Sequence, residues 1–446
     1  MTRLKQTLIV APLILALSTP AHAETLNGAL SQTLARNPSL ASAGYNYEAN
    51  YVSQFVTLAD MLPQVTGFVS QKRSDTKAEN YRTGVPIPDG NSFGDLDTDS
   101  YGVRVTQQLF TSGRNLNAFR AKRADIKAEK ARFTQTEQQI LLAAISTYMD
   151  VLESETVVAL RRKNVDVLRE QLDAVKDRFE VGVVTRTDIA QSQAALSGAK
   201  ASLLAAEAGL RAARASYREI IGIDPESLKK PVRVPRLPRS LDRAMEIARK
   251  DSPTLKIAQA QSESGRLTTL STLGTALPSV NLTGVYAKTE DPSIGSRGTE
   301  VESTSVEVTL NVPLFRGGRS VAAVTGGLDY NNSLAKNVHA VSNQLERETI
   351  VAWHNVATTK SAMQATKEQI TAAKLALEGV REENKLGTRT NLDVLDAEQS
   401  LLDAQVNLAN AERNQYVAAY NLLATIGRLT AKRLRIEPAD IEAAKK

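Results

Sequence analysis

The chain contains 446 residues, and its 55 lysines and arginines exceed its 49 aspartates and glutamates to give a formal net charge of +6. The two signs of charge are interleaved along the sequence, which argues against a nucleic-acid-binding surface. There is no cysteine, which excludes disulfide bonds, thiolate metal sites and cysteine nucleophiles. Aromatic residues make up only 4% of the chain, a composition that favours long helices and an elongated fold.

The first residues have the pattern of an export signal. Two basic residues precede an apolar run at 8–17, and a small-residue motif at 21–23 stands directly before Glu24. This pattern is typical of a secretory signal peptide, and the apolar run is too short to span a bilayer. We therefore predict that residues 1–23 are removed and that Glu24 begins the mature chain. No other run of about 18 apolar residues occurs, so no transmembrane helix is expected.

The two halves of the chain repeat the same sequence pattern. The matched segments are 26–65 with 241–280, 101–114 with 306–319, and 182–222 with 387–427. The offset is 215 residues for the first pair and 205 for the others, so the first copy holds ten additional residues between Ser70 and Tyr101. A segment that changes length between matched flanks is a surface loop. We predict such loops at 81–99 and at 290–298.

The repeat divides the chain into predicted units. These are the signal peptide 1–23, a first repeat 24–223, an interrepeat segment 224–240, a second repeat 241–429 and a C-terminal tail 430–446. Each repeat is expected to contain a helix, a strand pair, a long helix and a return helix. The interrepeat segment is rich in proline and charge, so we predict a linker or a small equatorial belt outside the helices.

Each repeat begins with a short predicted helix. The Asn-Pro pair at 37–38 and the Ser-Pro pair at 252–253 have the order of an N-cap residue followed by proline at the first helical position. The Leu-Pro pairs at 62–63 and 277–278 end these helices. Each short helix is then about 37 Å long.

Four segments show the alternating pattern of strands. Apolar residues occupy every second position over 306–314, and 65–70, 101–106 and 280–286 show the same period more loosely. About ten residues is the length of a tilted membrane-crossing strand, although two hairpins of a soluble sheet would show the same pattern. Four strands cannot close a barrel, and an open edge in hydrocarbon leaves backbone groups unpaired. Strands that cross a membrane would therefore have to be pooled by several chains.

Long helical patterns follow the strands at about 115–180 and 321–386, and each predicts a helix on the order of 100 Å long. A glycine turn at Gly182 or Gly387 ends each long helix, and a return helix of about 55 Å follows. A short helix and a return helix stacked end to end match one long helix. Each repeat is therefore expected to form a paired rod that projects from the strands, with its turn at the far tip.

Carboxylates stand at the start of both return helices. The Thr-x-x-Asp segments at 185–188 and 390–393 have the spacing of a capping box, so capping is the expected main role of both aspartates. Asp396 lies three residues after Asp393 on the same helical face, and Gln191 is its counterpart in the first copy. The cap therefore does not require Asp396. In a closed ring of chains the paired carboxylates would form a cation-favouring constriction, whereas the alternative is a solvated surface.

Three sequence features together resemble one protein family. They are the Leu-Pro-x-Val motifs at 62–65 and 277–280, the Leu-Phe-x-x-Gly-Arg motifs at 109–114 and 314–319, and the segment GTRTNLDVLDAEQSLLDAQVNLANAERNQY at 387–416. With these features the chain resembles the TolC-family outer-membrane efflux channels over essentially its whole mature length. The resemblance implies an α+β membrane protein in which three internally duplicated chains form a twelve-stranded β-barrel. This barrel would be continuous with a long α-helical coiled-coil barrel in the periplasm.

The resemblance also implies a gate at the tip. By position, Asp393 and Asp396 match the family's aspartate rings at the periplasmic entrance. Arg389 matches an arginine whose links to the neighbouring inner helices hold that entrance shut, and Thr187 and Asp188 match its partners. Three residues before the glycine of this turn the family often has a tyrosine. An asparagine stands there in this chain, so we expect a weaker closing network.

The function implied by the resemblance is a passive exit duct of a tripartite efflux pump or type I secretion system in the outer membrane of a Gram-negative bacterium. The implied partners are two further copies of the chain, a periplasmic adaptor, an inner-membrane pump or secretion ATPase, and outer-membrane lipid. The sequence has no nucleotide-binding fold or catalytic constellation, so no enzyme activity, cofactor or metal site is expected. The alternative is a periplasmic coiled-coil adaptor or structural protein without a pore, which would show one hairpin between split β halves.

Overall fold

The computed structural model describes residues 24–78, 81–82, 85–86, 92–292 and 298–436. The predicted signal peptide at 1–23 and the last part of the predicted tail, 437–446, lie outside the described residues. Part of each predicted surface loop also lies outside them. Within the described part of the chain, no helix combines the length and the apolar character needed to cross a membrane.

The two copies contain the same helices and long strands in the same order, and the first copy also contains two strands of two residues each. The first copy contains α1 (Leu26–Arg36), α2 (Pro38–Ala59), β1 (Gln64–Ala78), the two-residue strands β2 (Tyr81–Arg82) and β3 (Val85–Pro86), β4 (Ser92–Phe110), α3 (Arg114–Glu180) and α4 (Arg186–Ile221). The second copy contains α5 (Leu241–Asp251), α6 (Pro253–Gly274), β5 (Ser279–Glu290), β6 (Glu300–Asn311), α7 (Arg319–Lys385) and α8 (Asn391–Thr425), and the short α9 (Ala431–Leu434) follows. The predicted order of short helix, strand pair, long helix and return helix is confirmed in both copies, and a further helix, α1 or α5, precedes the predicted short helix.

The four long strands form one antiparallel sheet in the order β1-β4-β5-β6. Val65 pairs with Val105, which pairs with Gly284, which in turn pairs with Val306. Because directly paired residues point to the same face of a sheet, the alternating apolar residues of the four strands form one apolar face. Val65 is 68% exposed and Val306 is 74% exposed, so no described residue of this single chain covers these side chains. β1 and β6 are the open edges.

The predicted loop of the first copy is longer than the loop that the structure contains. β4 pairs with β5 up to Asp99 and Glu290, but it stays paired with β1 as far as Ser92 and Ala78. The prediction of a loop is therefore wrong for residues 92–99. Their turn-forming composition does not prevent a strand, because an antiparallel partner satisfies the backbone groups whatever the side chains are. The β1–β4 hairpin continues past β5 and β6 as a two-stranded ribbon.

The long helices each span 67 residues, which corresponds to about 100 Å. α2 and α4 pack along α3, and α6 and α8 lie between α3 and α7. The helices therefore form one layer, in which each long helix is continuous and each neighbouring row consists of two shorter helices.

The end-to-end stacking of short and return helices is confirmed in both copies. The Asn37 side chain caps α2 by accepting hydrogen bonds from the amides of Ser39 and Leu40, and its Nδ2 donates to the carbonyl of Ile220 at the end of α4 (3.0 Å). In the second copy the end of α8 lies against the junction of α5 and α6, where Ser252 holds the N-cap position without a side-chain capping bond. Each joint therefore connects two helices of the same copy.

The largest buried cluster lies around the two helix joints, halfway along the rod. It contains fully buried side chains of α3, α4 and α8 together with the flanking segments, and its largest members are Tyr148, Tyr217, Leu30, Leu141, Ile145, Ile221, Leu422, Ile426 and Leu429. The core of the molecule is therefore a collar around the middle of the helices, with few buried apolar residues towards the strands.

The interrepeat segment, residues 224–240, packs on this collar. The hydroxyl of Tyr148 lies 2.7 Å from the carbonyl oxygen of Lys229 and 2.8 Å from that of Glu24, so its proton bonds to either acceptor. Tyr217 donates to the carboxylate of Glu24 (2.7 Å), and the backbone N–H of Glu24 donates to the carbonyl of Ser227 (2.7 Å). Burial raises the pKa of Tyr148 to about 12, so this donor keeps its proton at neutral pH. Residue 24 is thereby fixed to the segment between the two copies.

Replacing Gly427 by alanine tests the joint of the second copy. Gly427 has a φ of 76°, and a Cβ there would lie 2.4 Å from the carbonyl oxygen of Asp251. Gly182→Ala is the matched control, because Gly182 has a φ of 79° and no atom within 4 Å of the added Cβ. The left-handed backbone alone should cost about 1–2 kcal/mol, and overpacking should add about 1–3 kcal/mol for Gly427→Ala.

The measurement is thermal unfolding of the purified variants, followed by circular dichroism. Gly427→Ala should melt at a clearly lower temperature than Gly182→Ala. Equal melting temperatures for the two variants would show that the joint tolerates the additional methyl group and is not closely packed.

Candidate functional site

The candidate site is built by two tip turns, residues 181–185 between α3 and α4 and residues 386–390 between α7 and α8. In the first turn the amides of Gly182 and Val183 donate to the carbonyls of Phe179 and Arg178, both at 2.9 Å. In the second, the amides at 387 and 388 make the same bonds to Asn384 and Glu383. These bonds are those of a Schellman motif, which needs a left-handed residue after the helix. Both glycines have a φ of 79°, as the sequence predicts.

Each return helix then begins with the predicted capping box. The amide of Thr185 donates to the Asp188 carboxylate (2.8 Å), and the amide of Asp188 donates back to the Thr185 hydroxyl (3.4 Å). Thr390 and Asp393 make the same pair of bonds, at 2.9 Å and 3.2 Å. The expected capping role of both aspartates is confirmed.

The capping bonds favour the charged form of both carboxylates. The backbone amide of Thr185 is the main group that lowers the pKa of Asp188, and the hydroxyl of Thr390 is the main group that lowers that of Asp393. The positive charge of Arg389 lowers the pKa of Asp393 further. Both aspartates are therefore charged at neutral pH, which leaves two anionic groups at the end of the rod.

Arg389 lies in the second tip turn, directly before the capping threonine. Its Nε donates to the carboxylate of Glu383 (2.8 Å), and both side chains are exposed. Within the described residues of this single chain, Arg389 makes no bond to Thr187 or Asp188, which lie at the start of α4 in the other tip turn. The predicted link of Arg389 to these two residues on a neighbouring helix stays a prediction.

Asp393 and Asp396 lie on the free face of α8. Asn391, Val394 and Leu395 are buried on the face of α8 that meets the first copy. At about 100° per residue, Asp393 and Asp396 point away from that face and lie about 60° from each other. Asp396 lies at the edge of the free face, where it also borders a groove of ≈ 490 Å³ between α4 and α8 that is lined by Gln191, its counterpart in the first copy.

The site also contains a polar connection that the sequence prediction missed. The side chain of Asn391, the first residue of α8, contacts both α3 and α4. Its carbonyl oxygen accepts a hydrogen bond from Nε2 of Gln171 in α3 (2.9 Å), and its Nδ2 donates to the hydroxyl of Ser192 in α4 (2.8 Å). The repeat offers a signal for these residues, because their counterparts at an offset of 205 are Arg186, Ala376 and Ala397. The connection therefore has no equivalent in the other copy.

A second connection involves Asn384, which occupies the place of the family's tyrosine. Its carbonyl oxygen accepts from Arg178 at the end of α3 (3.2 Å), and its Nδ2 donates to the carbonyl of Arg389 (2.9 Å). The asparagine thus ties the second tip turn to the first copy and fixes the backbone that carries Arg389.

Acidification should loosen the tip before the rest of α8. Because the folded pKa values of Asp188 and Asp393 are lowered, their stabilising contribution is complete above the unfolded aspartate pKa of about 3.9 and is lost as the pH falls through the folded values. Protection factors from amide exchange should therefore decrease in the first turns of α4 and α8 below about pH 4.

Amides in the middle of α8 are the internal control and should keep their protection. Asp393→Asn, which cannot titrate, should remove the acid-dependent part of the change in α8 while leaving that in α4. An unchanged acid response of the first turn of α8 in this variant would contradict the assignment to Asp393.

A family model described as outer membrane efflux protein matches the chain over residues 29–223 and 244–428. These two ranges cover most of both sequence copies. The match therefore extends over more than half of the chain and leaves out the whole interrepeat segment.

Relatives match along nearly the full length. The outer membrane efflux protein BepC of Brucella suis biovar 1 is 31% identical over 419 residues, which cover 94% of this chain and 89% of BepC. The outer membrane protein TolC of Vibrio cholerae is 25% identical over 448 residues, which cover 98% of this chain and 99% of TolC. The solved structure of the Campylobacter jejuni CmeC outer membrane channel superimposes with a TM-score of 0.79 at 16% identity, covering 94% of this chain and 88% of CmeC. At that identity the likeness concerns the fold alone.

Proposed function

Because the chain belongs to the outer membrane efflux protein family, we propose that it is a passive duct whose opening is controlled at the tip turns. It is an outer-membrane protein that extends into the periplasm, and it serves as the exit channel of a tripartite efflux pump or a type I secretion system. The family consists of channel proteins, and we assign the chain no catalytic step. The periplasmic adaptor without a pore is disfavoured, since this chain has two full copies with a strand pair each.

The observation that carries the proposal is the open four-stranded sheet with its apolar face. A sheet edge exposed to hydrocarbon leaves backbone N–H and C=O groups without partners, which costs several kcal/mol for each group. β1 and β6 run in opposite directions, so β6 of one chain can pair antiparallel with β1 of the next. Three chains joined in this way give a closed barrel of twelve strands without an edge.

The exposed helix faces support the same ring. Tyr45, Val52 and Val56 lie on one face of α2, and each is more than half exposed in the single chain. Val321 and Leu328 of α7 are exposed at the opposite border of the helix layer. Since apolar side chains at both borders lack partners, a neighbouring copy that pairs with the sheet would also cover them.

Outer-membrane members of efflux and secretion systems work with an adaptor and an inner-membrane partner. We assign the adaptor contact to the end of the rod that is farthest from the strands, on the side of the helices away from the groove that Gln191 and Asp396 line. The chain itself would then supply the path, and the inner-membrane partner would supply the energy.

Arg389 can close the tip between chains. A guanidinium has five N–H donors, and the bond to Glu383 uses the one on Nε, so the terminal nitrogens are available to Thr187 and Asp188 of a neighbouring copy. Within its own capping box, Asp188 accepts the Thr185 bonds on Oδ2, which leaves its second oxygen as an acceptor. Asp393 and Asp396 on the free face of α8 would then line a constriction that favours cations.

The trimer is tested on the protein purified from outer membranes in a mild detergent. An unheated sample should migrate as a trimer on a denaturing gel and shift to the monomer on boiling, and light scattering in detergent should give three chains for each particle. A monomer by both measurements would contradict the shared barrel.

Arg389→Ala tests the gate in planar lipid bilayers. Removing the guanidinium should raise the single-channel conductance several-fold, because the proposed bonds to Thr187 and Asp188 of the neighbouring copy are lost. Lys385→Ala is the matched control, since Lys385 is a neighbouring cation that pairs with Glu382 of its own helix (2.6 Å). Conductance that stays at the wild-type value in Arg389→Ala would remove Arg389 from the gate.

A further inference from the structure

We infer that Asn391 is a positioning residue that directs Asp393 and Asp396 into the duct, so that the cation preference of the constriction depends on the bonds of Asn391 to Gln171 and Ser192. This inference rests on the proposed function, because it assumes that the two aspartates line the constriction. It assigns a role to three neutral residues that neither touch the permeating ions nor belong to the arginine link.

The contacts of Asn391 connect three helices at one point. Gln171 comes from the long helix of the first copy, Ser192 from its return helix and Asn391 from the return helix of the second copy. The bond lengths, 2.9 Å and 2.8 Å, are those of well-formed hydrogen bonds. The amide of Asn391 therefore uses one acceptor and one donor to hold the start of α8 against the first copy.

Burial makes these bonds difficult to exchange for water. Ser192 is 1% exposed and Asn391 is 7% exposed. A buried amide that loses its partners keeps the full desolvation cost without compensation, so the two bonds strongly favour one rotation of the first turn of α8. The bond between Arg389 and Glu383, in contrast, joins two exposed side chains and is screened by salt.

The position of Asn391 on the helix fixes the direction of the aspartates. The side chain of Asn391 points into the first copy. With about 100° of rotation per residue, the side chains at 393 and 396 lie about 200° and about 140° around the helix axis from it. Both angles lie on the opposite side of α8. One turn further on, Leu395 packs against Leu168 and Leu196 of the first copy, so apolar contact holds the following turn in the same orientation. The carboxylates cannot turn towards the wall without breaking the amide bonds.

The repeat shows that this arrangement is particular to α8. The residue of α4 that corresponds to Asn391 is the exposed Arg186, and Gln191 corresponds to Asp396. The polar anchor and the second carboxylate therefore occur together on one return helix, and both are missing from the other. An anchor is needed where the direction of a carboxylate determines the function.

The experiment measures reversal potentials of single channels in planar bilayers under a KCl gradient, using the full chain. Asn391→Ala and Gln171→Ala should each lower the cation-to-anion permeability ratio at least threefold, towards the ratio of the double variant Asp393→Asn/Asp396→Asn. Gln193→Ala is the matched control, because Gln193 is an exposed amide beside Ser192 that bonds only within α4. It should keep the wild-type ratio.

A second measurement reports orientation directly. Since the chain has no cysteine, a spin label attached to Asp396→Cys is the single label on each copy. The distances between the labels of neighbouring copies are measured by pulsed electron paramagnetic resonance spectroscopy. Adding Asn391→Ala should broaden and shift this distance distribution, whereas adding Gln193→Ala should not. If Asn391→Ala does not assemble, Gln171→Ala leaves α8 unchanged in sequence and is used in its place.

The outcomes separate the two proposals. If the double aspartate variant loses cation preference while Asn391→Ala and Gln171→Ala keep the wild-type ratio and label distances, the positioning role is wrong and the proposed constriction stands. If the double aspartate variant keeps the wild-type ratio, the constriction is not formed by these carboxylates, and the positioning role is overturned with it. The expected result is that the double aspartate variant, Asn391→Ala and Gln171→Ala all lose cation preference, while Gln193→Ala keeps the wild-type permeability ratio.

Discussion

The need to pair every backbone group in hydrocarbon determines the rest of this structure. A four-stranded sheet has two open edges, and no side chain can satisfy the row of N–H and C=O groups along them. The duplication of the sequence gives each chain two strand pairs but does not remove the edges. Further copies must remove them, and the helices that leave the strands are then arranged in a ring. The long helices, their joints and their tip turns are therefore arranged with the same ring symmetry as the strands.

The two copies differ at the tip, although they share one scaffold. Both tip turns use a left-handed glycine and a threonine-aspartate cap, and these features only end one helix and begin the next. At the tip, Asn384 and Asn391 make hydrogen bonds that connect the copies, and both stand at positions where the sequences differ. A strictly symmetric duplication would give two equivalent hairpins, and neither could move separately from the other. In the proposed gating, divergence at a few tip residues would allow one hairpin to serve as wall and the other as gate.

Sequence patterns predict most of the scaffold and little of the tip network. Helix ends, capping boxes and glycine turns depend on residues within five positions of each other, so the order of residues is sufficient to predict them. The ribbon formed by residues 92–99 was not predictable from composition, because pairing depends on the partner strand. Asn391 bonds to residues 220 and 199 positions away, and these bonds depend on the rotation of three helices. Only the mismatch between the copies points to these residues in the sequence.

The two helix joints of each chain lie at the same height, and this has a mechanical consequence. Each rod resembles a beam of two layers in which one layer is continuous and the other is cut, at Asn37 in the first copy and at Ser252 in the second. A cut layer carries no tension across the cut, so a bending load would be concentrated there. The buried collar and the interrepeat segment surround both joints and stabilise them against bending. At the height of the joints the collar therefore carries the bending load that the interrupted layer cannot carry.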